Sequence, residues 1–328
     1  MKVIKCTKYG SPDVLRITEI EKPVPQQDEV LFKIHAASVT AADMMMRKGS
    51  PYIGRLFIGL KKPKHDIVGT GFAGEVEAVG KNVTQFKIGD DVFGESIFSQ
   101  GTNAEYVCVA EDGVLAKKPD NMSYEEACPA CDGALTSLNF IRDVAKAKKG
   151  QSILIVGASG SLGTAAVQIS KHFELDITAV CSGANAKWVK ALGAGEVIDY
   201  LQTDFTHESA SREIRTYDII YDTLGKHSFS ICKNNLKETG IYMSPVFSIG
   251  NLFQMLLTSN IGKKKAKFSA TGMRPVAELR EMLNELTSLY EADIVKSVID
   301  KKYSLDHTVD AHHYVETGHK KGNVVITF

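Results

Sequence analysis

The sequence predicts an α/β protein that combines a doubly wound parallel sheet with a small antiparallel β-barrel. Three observations predict it. The chain has 328 residues, which suits about two domains of ordinary size. Its first part is a succession of short alternating runs cut by glycine and proline. From residue 152 onward, apolar strand-like runs alternate with helical stretches, which is typical of parallel strands joined by crossover helices.

The barrel is predicted from four segments. "DEVLFKIHAASV" (residues 28–39) alternates and is rich in β-branched residues, and "NAEYVCVA" alternates cleanly. "GFAGEVEAVG" and "DDVFGES" are shorter strand-like runs. Residues 49–66 carry Pro and Gly punctuation and are predicted to form a long loop. Short strands with long loops favour a small antiparallel barrel.

The parallel sheet is predicted from the later part of the chain. Ser123 and Glu126 have the spacing of a capping box, which predicts a helix start. Strands are predicted at 152–156, 177–181, 196–198, 217–221, 240–244 and 267–270, with helices at 162–173 and 187–192.

The tail predicts a return to the barrel. After Pro275 we expect a helix over 276–291, a strand over 295–303, a helix over 305–317 and a last strand in "GNVVITF". That last strand resembles those of the first region. We therefore predict a barrel domain of residues 1–122, completed by residues 290–328, and a parallel-sheet domain of residues 123–289.

Composition argues against several classes of function. Lys plus Arg and Asp plus Glu both number 39, so the chain lacks the basic excess of nucleic-acid-binding proteins. No apolar run approaches the roughly 20 residues that span a bilayer, and no signal-peptide core is evident. The six cysteines are scattered, and Cys128 with Cys131 forms one isolated CxxC, so we expect reduced thiols and a cytoplasmic protein.

A glycine-rich turn follows the first predicted parallel strand, in "SILIVGASGSLGTAAVQISKHF" (residues 152–173). Gly157 permits a tight turn, Gly160 lets a diphosphate approach the backbone, and Gly163 lets the helix pack closely on the sheet. Ala158 departs from the strict G-x-G-x-x-G pattern. The strand before the turn and the helix after it predict a dinucleotide site.

The residues after the second parallel strand predict which dinucleotide binds. NAD sites place a carboxylate there to bond the ribose 2′-hydroxyl. Residues 181–185 carry none, whereas Ser182 and Asn185 can hydrogen-bond a 2′-phosphate and Lys187 can supply positive charge. We therefore predict NADPH rather than NADH. Lys187 also fits an ordinary solvated helix position.

Several segments together resemble the medium-chain dehydrogenase/reductase superfamily, in its zinc-independent quinone oxidoreductase (zeta-crystallin-like) branch. They include "GFAGEVEAVGKNVTQFKIGDDVFG", "VGASGSLGTAAVQISK", "ALGAGEVIDY" and "GHKKGNVVITF", and they follow the family's order from end to end. The resemblance implies a GroES-like barrel formed by both chain ends, an inserted Rossmann domain and NADPH in the cleft.

The resemblance also implies that no catalytic metal is bound. Zinc-dependent relatives place ligands in the segments that match "VTAADMMMRKG" and "GTGFAG", where this chain has Thr40, Thr70 and Gly71. Thr and Gly are not usual zinc ligands. The implied substrate is then a small-molecule electron acceptor activated by its own conjugation, such as a quinone or an α,β-unsaturated carbonyl compound.

The family's cofactor contacts carry over to matching positions. The pyrophosphate loop comprises Gly157, Ala158, Ser159, Gly160, Ser161, Leu162 and Gly163. Ser182 and Asn185 match the 2′-phosphate positions, although many members have Lys or Arg at the latter. Tyr200 would pack near the adenosine end and Thr136 beside the nicotinamide. The nicotinamide ribose would be lined, and the cofactor covered, by Thr223, Leu224, Gly225, Ser244, Val246, Lys321 and Asn323.

The substrate residues depart from the family pattern. Quinone reductases of this type usually have Asn at the position of Thr40, many have Asp at that of Gly71, and many have Pro-Phe at Cys131-Asp132. A hydroxyl donor to the carbonyl oxygen would stabilise the developing enolate, and Thr40, then Tyr52, are the predicted donors. Asp43 is predicted to anchor its loop, and water to supply the proton.

Two alternatives stay open. An enoyl-thioester reductase would use the same fold and a basic entrance, for which Lys61, Lys62 and Lys64 are available. A non-catalytic NADPH-binding protein would bind the cofactor without turning it over. The segment "KAKFSATG" could pair edge to edge with a second copy, so a homodimer is a further expectation.

Overall fold

The computed structural model describes residues 1–96, 100–207 and 215–328. The chain divides into two compact units. The barrel unit comprises Met1–Asp132, Arg274–Asp293 and Ser297–Phe328, and the sheet unit comprises Gly133–Met273 and Ile294–Lys296. Strands are numbered β1–β15 and helices α1–α10 along the chain.

The barrel unit is built mainly of antiparallel strands. Seven strands form one sheet in the order β14-β15-β3-β4-β5-β7, in which β6 pairs with residues 29–33 of β3 and β15 with residues 36–39. β1 pairs with β2. The sheet closes around buried apolar side chains that include Phe32, Phe72 and Val92. The strands are β1 (Lys2–Cys6), β2 (Leu15–Glu19), β3 (Glu29–Val39), β4 (Gly71–Val79), β5 (Asp91–Glu95), β6 (Tyr106–Ala110), β7 (Val114–Lys117), β14 (Ile299–Ser304) and β15 (Asn323–Thr327).

Both ends of the chain build this unit, as the sequence predicts. β15 pairs antiparallel with β3, with Val325 opposite Ser38, and β14 runs parallel to β15. The helices of the unit are α1 (Ala41–Lys48), α2 (Arg55–Ile58), α3 (Tyr124–Ala127), α9 (Val276–Glu291) and α10 (Thr308–Glu316). Residues 49–66, predicted to be a loop, contain α2 and a 3₁₀ turn at Tyr52–Gly54.

The boundaries of the units differ from the predicted 122/123 and 289/290. Helix α9 lies in the barrel unit because its apolar face, which includes Leu279, Met282 and Leu286, is buried there. Asn121 fixes the end of α9 by donating from its amide to the Tyr290 carbonyl at 3.0 Å. The barrel unit therefore extends to Asp132 and includes α9. The periodicity of the sequence could not show to which of the two units α9 belongs.

The sheet unit has six parallel strands in the order β10-β9-β8-β11-β12-β13. This is the doubly wound order that the alternating pattern predicts. The strands are β8 (Ser152–Val156), β9 (Asp176–Cys181), β10 (Glu196–Asp199), β11 (Tyr217–Asp222), β12 (Leu236–Ser244) and β13 (Lys265–Phe268). The helices are α4 (Leu135–Leu138), α5 (Ser161–His172), α6 (Ala186–Leu192), α7 (Phe229–Cys232) and α8 (Ile249–Asn260).

Two general features bear on the sequence predictions. All six cysteines are buried and carry free thiols. Within residues 1–96, 100–207 and 215–328, no helix combines the length and the apolar character needed to cross a bilayer.

A buried histidine couples the stability of the barrel unit to pH. His312 on α10 is fully buried, and neither ring nitrogen has a hydrogen-bond partner among the described residues. Burial, and then the charge of Arg47, lowers the pKa of His312 to about 3. The unfolded chain therefore binds the extra proton first, and stability is lost as pH falls from the ordinary pKa of about 6.5 toward 3.

We expect the free energy of unfolding to drop by about 2 kcal/mol more in the native chain than in His312→Leu between pH 7 and pH 5. Urea unfolding at both pH values measures the difference. Substitution of the exposed His319 by Leu is the matched control and should leave the pH dependence of the native chain unchanged. Parallel pH profiles for the native chain and His312→Leu would contradict a neutral buried ring.

Candidate functional site

The glycine turn between β8 and α5 has the geometry of an anion site. Gly157 has φ +79°, which favours glycine, and its N–H donates to the Val180 carbonyl at 3.0 Å. Helix α5 begins after Gly160, and no side chain caps it. The first N–H groups of a helix lack intrahelical partners, so those of Leu162 and Gly163 are available to an anion.

The space around this turn fits a diphosphate. A Cβ added at Gly163 would lie 2.1 Å from the Gly157 carbonyl oxygen, so the helix packs directly on the turn. A Cβ added at Gly160 would meet only that carbonyl oxygen, at 3.5 Å, and otherwise points into open space. The three glycines therefore differ in role: two are required by packing, and the third leaves room for a ligand.

The turn after β9 brings together the residues predicted at the adenosine end. The Asn185 side chain donates to the Ser182 hydroxyl at 3.1 Å and accepts from the Trp188 indole at 3.2 Å. Asn185 therefore fixes Ser182, whose own hydroxyl hydrogen can point to a ligand. Lys187 is exposed, and Tyr200, at the end of β10, is 54% exposed. These features fit a phosphorylated ribose and a stacked base.

A carboxylate that the linear sequence did not indicate lies beside this turn. β10 pairs with β9 so that Asp199 stands opposite Cys181. A Cβ added at Gly183 would lie 2.5 Å from Asp199 Oδ2. Asp199 Oδ1 accepts the N–H of Leu201 at 3.0 Å, which fixes the carboxylate at the end of β10. Its negative charge opposes a 2′-phosphate at this end of the site.

The turn after β11 is organised by a second carboxylate. Asp222 is fully buried and accepts the N–H groups of Leu224, Gly225 and His227 at 2.8–3.0 Å. Thr223, Leu224 and Gly225 were predicted from the sequence, whereas Asp222, which fixes the backbone of their turn, was not. The signal was present, because an Asp that precedes a glycine turn commonly bonds the backbone two residues on.

The remaining predicted residues of the sheet unit lie near this turn. The Thr223 hydroxyl donates to the Val156 carbonyl at 2.7 Å, at the end of β8. Ser244 Oγ accepts the Val246 N–H at 3.2 Å, and a Cβ added at Gly225 would lie 2.5 Å from Val246 Cβ. The turns after β8, β11 and β12 thus meet at the carboxyl edge of the sheet, whereas Thr136 is half-buried on α4.

In the barrel unit, Thr40 and Asp43 form a capping box at the start of α1. The Thr40 hydroxyl donates to Asp43 Oδ2 at 2.9 Å and accepts the Asp43 N–H at 3.1 Å. Its one hydrogen is therefore engaged, and donation to a substrate carbonyl requires that bond to break. Asp43 caps the first turn of α1. Tyr52 is 78% exposed and lies over the Arg55 guanidinium.

Two further predicted residues of the barrel unit lie near its last strand. Lys321 is exposed, and its N–H donates to Asp300 Oδ2 at 2.8 Å. The Asn323 amide donates to the Val298 carbonyl at 3.1 Å. These bonds fix the backbone around the start of β15. Their predicted contact with the cofactor stays a prediction.

The positions that match the zinc ligands of related enzymes do not fit a metal. A Cβ added at Gly71 would lie 2.6 Å from the Cys128 carbonyl oxygen and 2.7 Å from Ser38 Oγ. No ligating side chain can occupy that position without displacing backbone. Across the described part of the chain, no group of three or more His, Cys, Asp or Glu residues is arranged to hold a metal ion.

The chain matches two family models and is similar to known proteins over nearly its whole length. Residues 26–120 match the alcohol dehydrogenase GroES-like domain, and residues 192–326 match a family described as zinc-binding dehydrogenase. The chain is 32% identical to the 2-methylene-furan-3-one reductase of Solanum lycopersicum, over 99% of this chain and 79% of that protein. It is also 32% identical to a chloroplastic quinone-oxidoreductase homolog of Spinacia oleracea, over 99% of this chain and 98% of that protein.

The chain belongs to the zinc-independent quinone oxidoreductase branch of the medium-chain dehydrogenase/reductase superfamily. Among solved structures, the quinone oxidoreductase of Coxiella burnetii is 28% identical and superimposes with a TM-score of 0.86, over 100% of this chain and 99% of that one. The predicted family and the predicted fold are both confirmed. The protein is an oxidoreductase of this type.

This oxidoreductase carries acidic groups in its barrel unit that sequence analysis left unassigned. Burial raises the pKa of Asp43 to about 7; the hydrogen bonds from Thr40 oppose the rise, and the charge of Asp132 adds to it. Burial, followed by the charges of Asp132 and Asp43, raises the pKa of Glu95 to about 8. Carboxyl groups that hold a proton near neutral pH can donate one. Glu95 could not be predicted from the sequence, because only the folded barrel brings it close to Asp43.

Lys320 is close enough to Asp132 for their charges to interact. It is half-buried, and its ammonium donates to the Gly322 carbonyl at 2.6 Å. Burial lowers its pKa, against the opposing charges of Asp132 and Asp300. The barrel unit thus contains two carboxyl groups of raised pKa and a lysine of lowered pKa, and neither Glu95 nor Lys320 was predicted from the sequence.

Proposed function

We propose that this protein is an NADPH-dependent reductase that transfers hydride to a conjugated carbonyl compound, either a quinone or an α,β-unsaturated ketone or aldehyde. The observation that carries the proposal is the uncapped N-terminus of α5 facing open space at Gly160. It is supported by relatives named as a quinone-oxidoreductase homolog and as a reductase of 2-methylene-furan-3-one, a name that denotes a conjugated ketone.

The sheet unit would hold the cofactor. The N–H groups at the start of α5 would bind the diphosphate, and Ser182 with Lys187 would bind the 2′-phosphate. Asn185 would orient Ser182, and Tyr200 would stack on the adenine. The turns after β11 and β12 would position the ribose, with Thr136 as a further contact. The reduced nicotinamide supplies the hydride when bound.

The barrel unit would polarise the acceptor. A hydrogen-bond donor at the carbonyl oxygen stabilises the charge that develops as hydride adds to the conjugated carbon. Thr40 and Tyr52 stay the proposed donors, and Thr40 would have to exchange its bond to Asp43 for one to the substrate. Tyr52 needs no such exchange, because its hydroxyl is exposed.

A panel of acceptors tests the proposal. We expect NADPH oxidation, followed at 340 nm, with simple quinones or with short enones and enals, and a much lower rate with saturated ketones. An enoyl-CoA belongs in the panel, since preference for it would instead favour the thioester reductase. Tight NADPH binding without oxidation by any acceptor would indicate a binding protein and contradict the proposed activity.

Titrations with NADPH and with NADH test the cofactor preference. We expect a lower dissociation constant for NADPH than for NADH, because Ser182 and Lys187 meet only the 2′-phosphate. Asp199→Asn should raise the ratio of the NADH dissociation constant to the NADPH dissociation constant, because it removes a negative charge beside Gly183. Lys187→Gln should lower the same ratio by weakening NADPH binding, with little effect on the dissociation constant of NADH. Tighter binding of NADH by the native chain would overturn the preference.

The cytoplasmic location and the pairing of β13 with a second copy stay predictions.

A further inference from the structure

Residues 52–64, called here the 52–64 segment, expose an unusual amount of apolar surface. Within nine residues, five large apolar side chains are more than half exposed: Tyr52 78%, Ile53 56%, Leu56 68%, Phe57 62% and Leu60 66%. Single exposed apolar residues are common on protein surfaces, whereas a contiguous group of them marks a site of interaction. The segment is therefore a candidate interaction surface.

The segment is held in a defined conformation. The Tyr9 hydroxyl donates to the Gly59 carbonyl. The Arg55 guanidinium lies 4.3 Å from the centroid of the Tyr9 ring, and its Nε donates to the Gly49 carbonyl at 2.9 Å. Arg55 and the backbone are thus bound to the barrel unit, while the apolar side chains stay in solvent. The exposed apolar surface is preformed.

The charge of the segment selects the partner. No acidic residue occurs between Asp43 and Asp66. Lys61, Lys62 and Lys64 are exposed and form no ion pair among the described residues. Aromatic and aliphatic side chains next to unpaired lysines are typical of surfaces that enter the headgroup region of anionic membranes.

We propose that the 52–64 segment docks this protein on an anionic lipid surface. Leu56, Phe57 and Leu60 would enter the boundary between headgroups and acyl chains, and the three lysines would contact lipid phosphates. This inference goes beyond the proposed function and does not depend on it, because lipid binding requires neither cofactor nor acceptor.

A second apolar surface lies on α8 and differs in charge. Phe253 is 60% exposed there, close to the 62% of Phe57. The lysines that follow α8 are engaged, since Lys263 pairs with Glu238 and Lys265 donates to the Thr258 carbonyl at 2.6 Å. Helix α8 packs beside β13, the edge strand predicted to meet a second copy. It therefore provides a matched control.

Vesicle flotation of the full chain tests the proposal. We expect the protein to float with phosphatidylcholine vesicles that contain about a third phosphatidylserine, and not with phosphatidylcholine alone. Phe57→Glu should lower the partition coefficient at least tenfold, whereas Phe253→Glu should leave it unchanged. Replacing each of Lys61 and Lys62 by Ser should lower the coefficient about fivefold per lysine, and 0.5 M salt should lower it further.

Three results would overturn the proposal. They are no vesicle binding by the native chain, equal binding to neutral and anionic vesicles, and as large a loss of binding in Phe253→Glu as in Phe57→Glu. Circular dichroism and the thermal midpoint check that each variant is folded, and the lysine variants give an independent result if Phe57→Glu is unstable. Sedimentation distinguishes a second copy as the partner, because Phe57→Glu would then change the oligomeric state in the absence of lipid.

Discussion

We expect Gly163→Ala to destabilise the sheet unit by about 2–3 kcal/mol and to abolish measurable nucleotide binding. The added methyl group would lie 2.1 Å from the Gly157 carbonyl oxygen and 2.5 Å from Ala158 Cα. Both are backbone atoms that cannot rotate away, so α5 must move off the turn. That movement also displaces the N–H groups proposed to bind the diphosphate.

Gly160→Ala separates the two effects. Gly160 has φ −87° and an extended backbone, which any residue adopts, and its Cβ would meet only one oxygen, at 3.5 Å. We expect stability within about 0.5 kcal/mol of the native chain, as for ordinary surface substitutions. Nucleotide affinity should nevertheless fall at least tenfold, because the methyl group enters the space proposed for the diphosphate.

The measurements are urea unfolding and NADPH titration of both variants. Gly195→Ala is the matched control, since its Cβ would also lie 3.5 Å from a carbonyl oxygen, that of Ile177, away from the turn. It should change neither stability nor affinity. If Gly160→Ala bound NADPH as tightly as the control, the diphosphate would not lie at this turn. If Gly163→Ala kept native stability, close packing of α5 would be refuted.

The regular elements of the sheet unit could be predicted from periodicity because burial dictates them. β8 is observed at Ser152–Val156, and its uninterrupted apolar run is the pattern of a strand covered on both faces. Helix α9 is observed at Val276–Glu291, as Pro275 and the 3.6-residue periodicity indicate. In both segments, local pattern and tertiary burial specify the same structure.

Other elements were missed because their sequences do not carry such a pattern. β1 and β2 are short and rich in charged residues, in "KVIKC" and "LRITE", since they form a two-stranded ribbon. Helix α8, "IGNLFQMLLTSN", is apolar on an exposed face, so its periodicity does not mark a buried side. Exposure of apolar residues removes the signal on which the prediction of a helix depends.

Site residues that lie in one contiguous turn could be predicted from the sequence. Site residues that come together only through the order of strands in the sheet could not. The glycine turn is contiguous, so Gly157, Gly160 and Gly163 could be named from the sequence. Asp199 acts on a turn that belongs to another strand, and only the adjacency of β9 and β10 brings it there. The distance between two strands along the chain does not show which strands will be neighbours in the sheet.

We expect Asp222→Ala to lower the free energy of unfolding by about 3–5 kcal/mol, the cost of removing one partner from a buried charged network. The carboxylate is fully buried, and its loss leaves the N–H groups of Leu224, Gly225 and His227 without their acceptor. The turn that follows β11 would lose its fixed shape. Because that turn is proposed to position the nicotinamide ribose, NADPH affinity should also fall at least tenfold.

Two further variants separate the carboxylate from its neighbours. Tyr242→Phe removes a hydroxyl that donates to the His227 carbonyl at 2.7 Å and lies 3.3 Å from Asp222 Oδ2. It leaves all three N–H bonds to Asp222, so we expect a loss of about 1 kcal/mol and near-native affinity. Asp222→Asn keeps one acceptor oxygen and should fall between the two. These variants are compared by urea unfolding and NADPH titration. A chain with Asp222→Ala that unfolds like Tyr242→Phe would show that water replaces the carboxylate, and that Asp222 does not hold the turn in place.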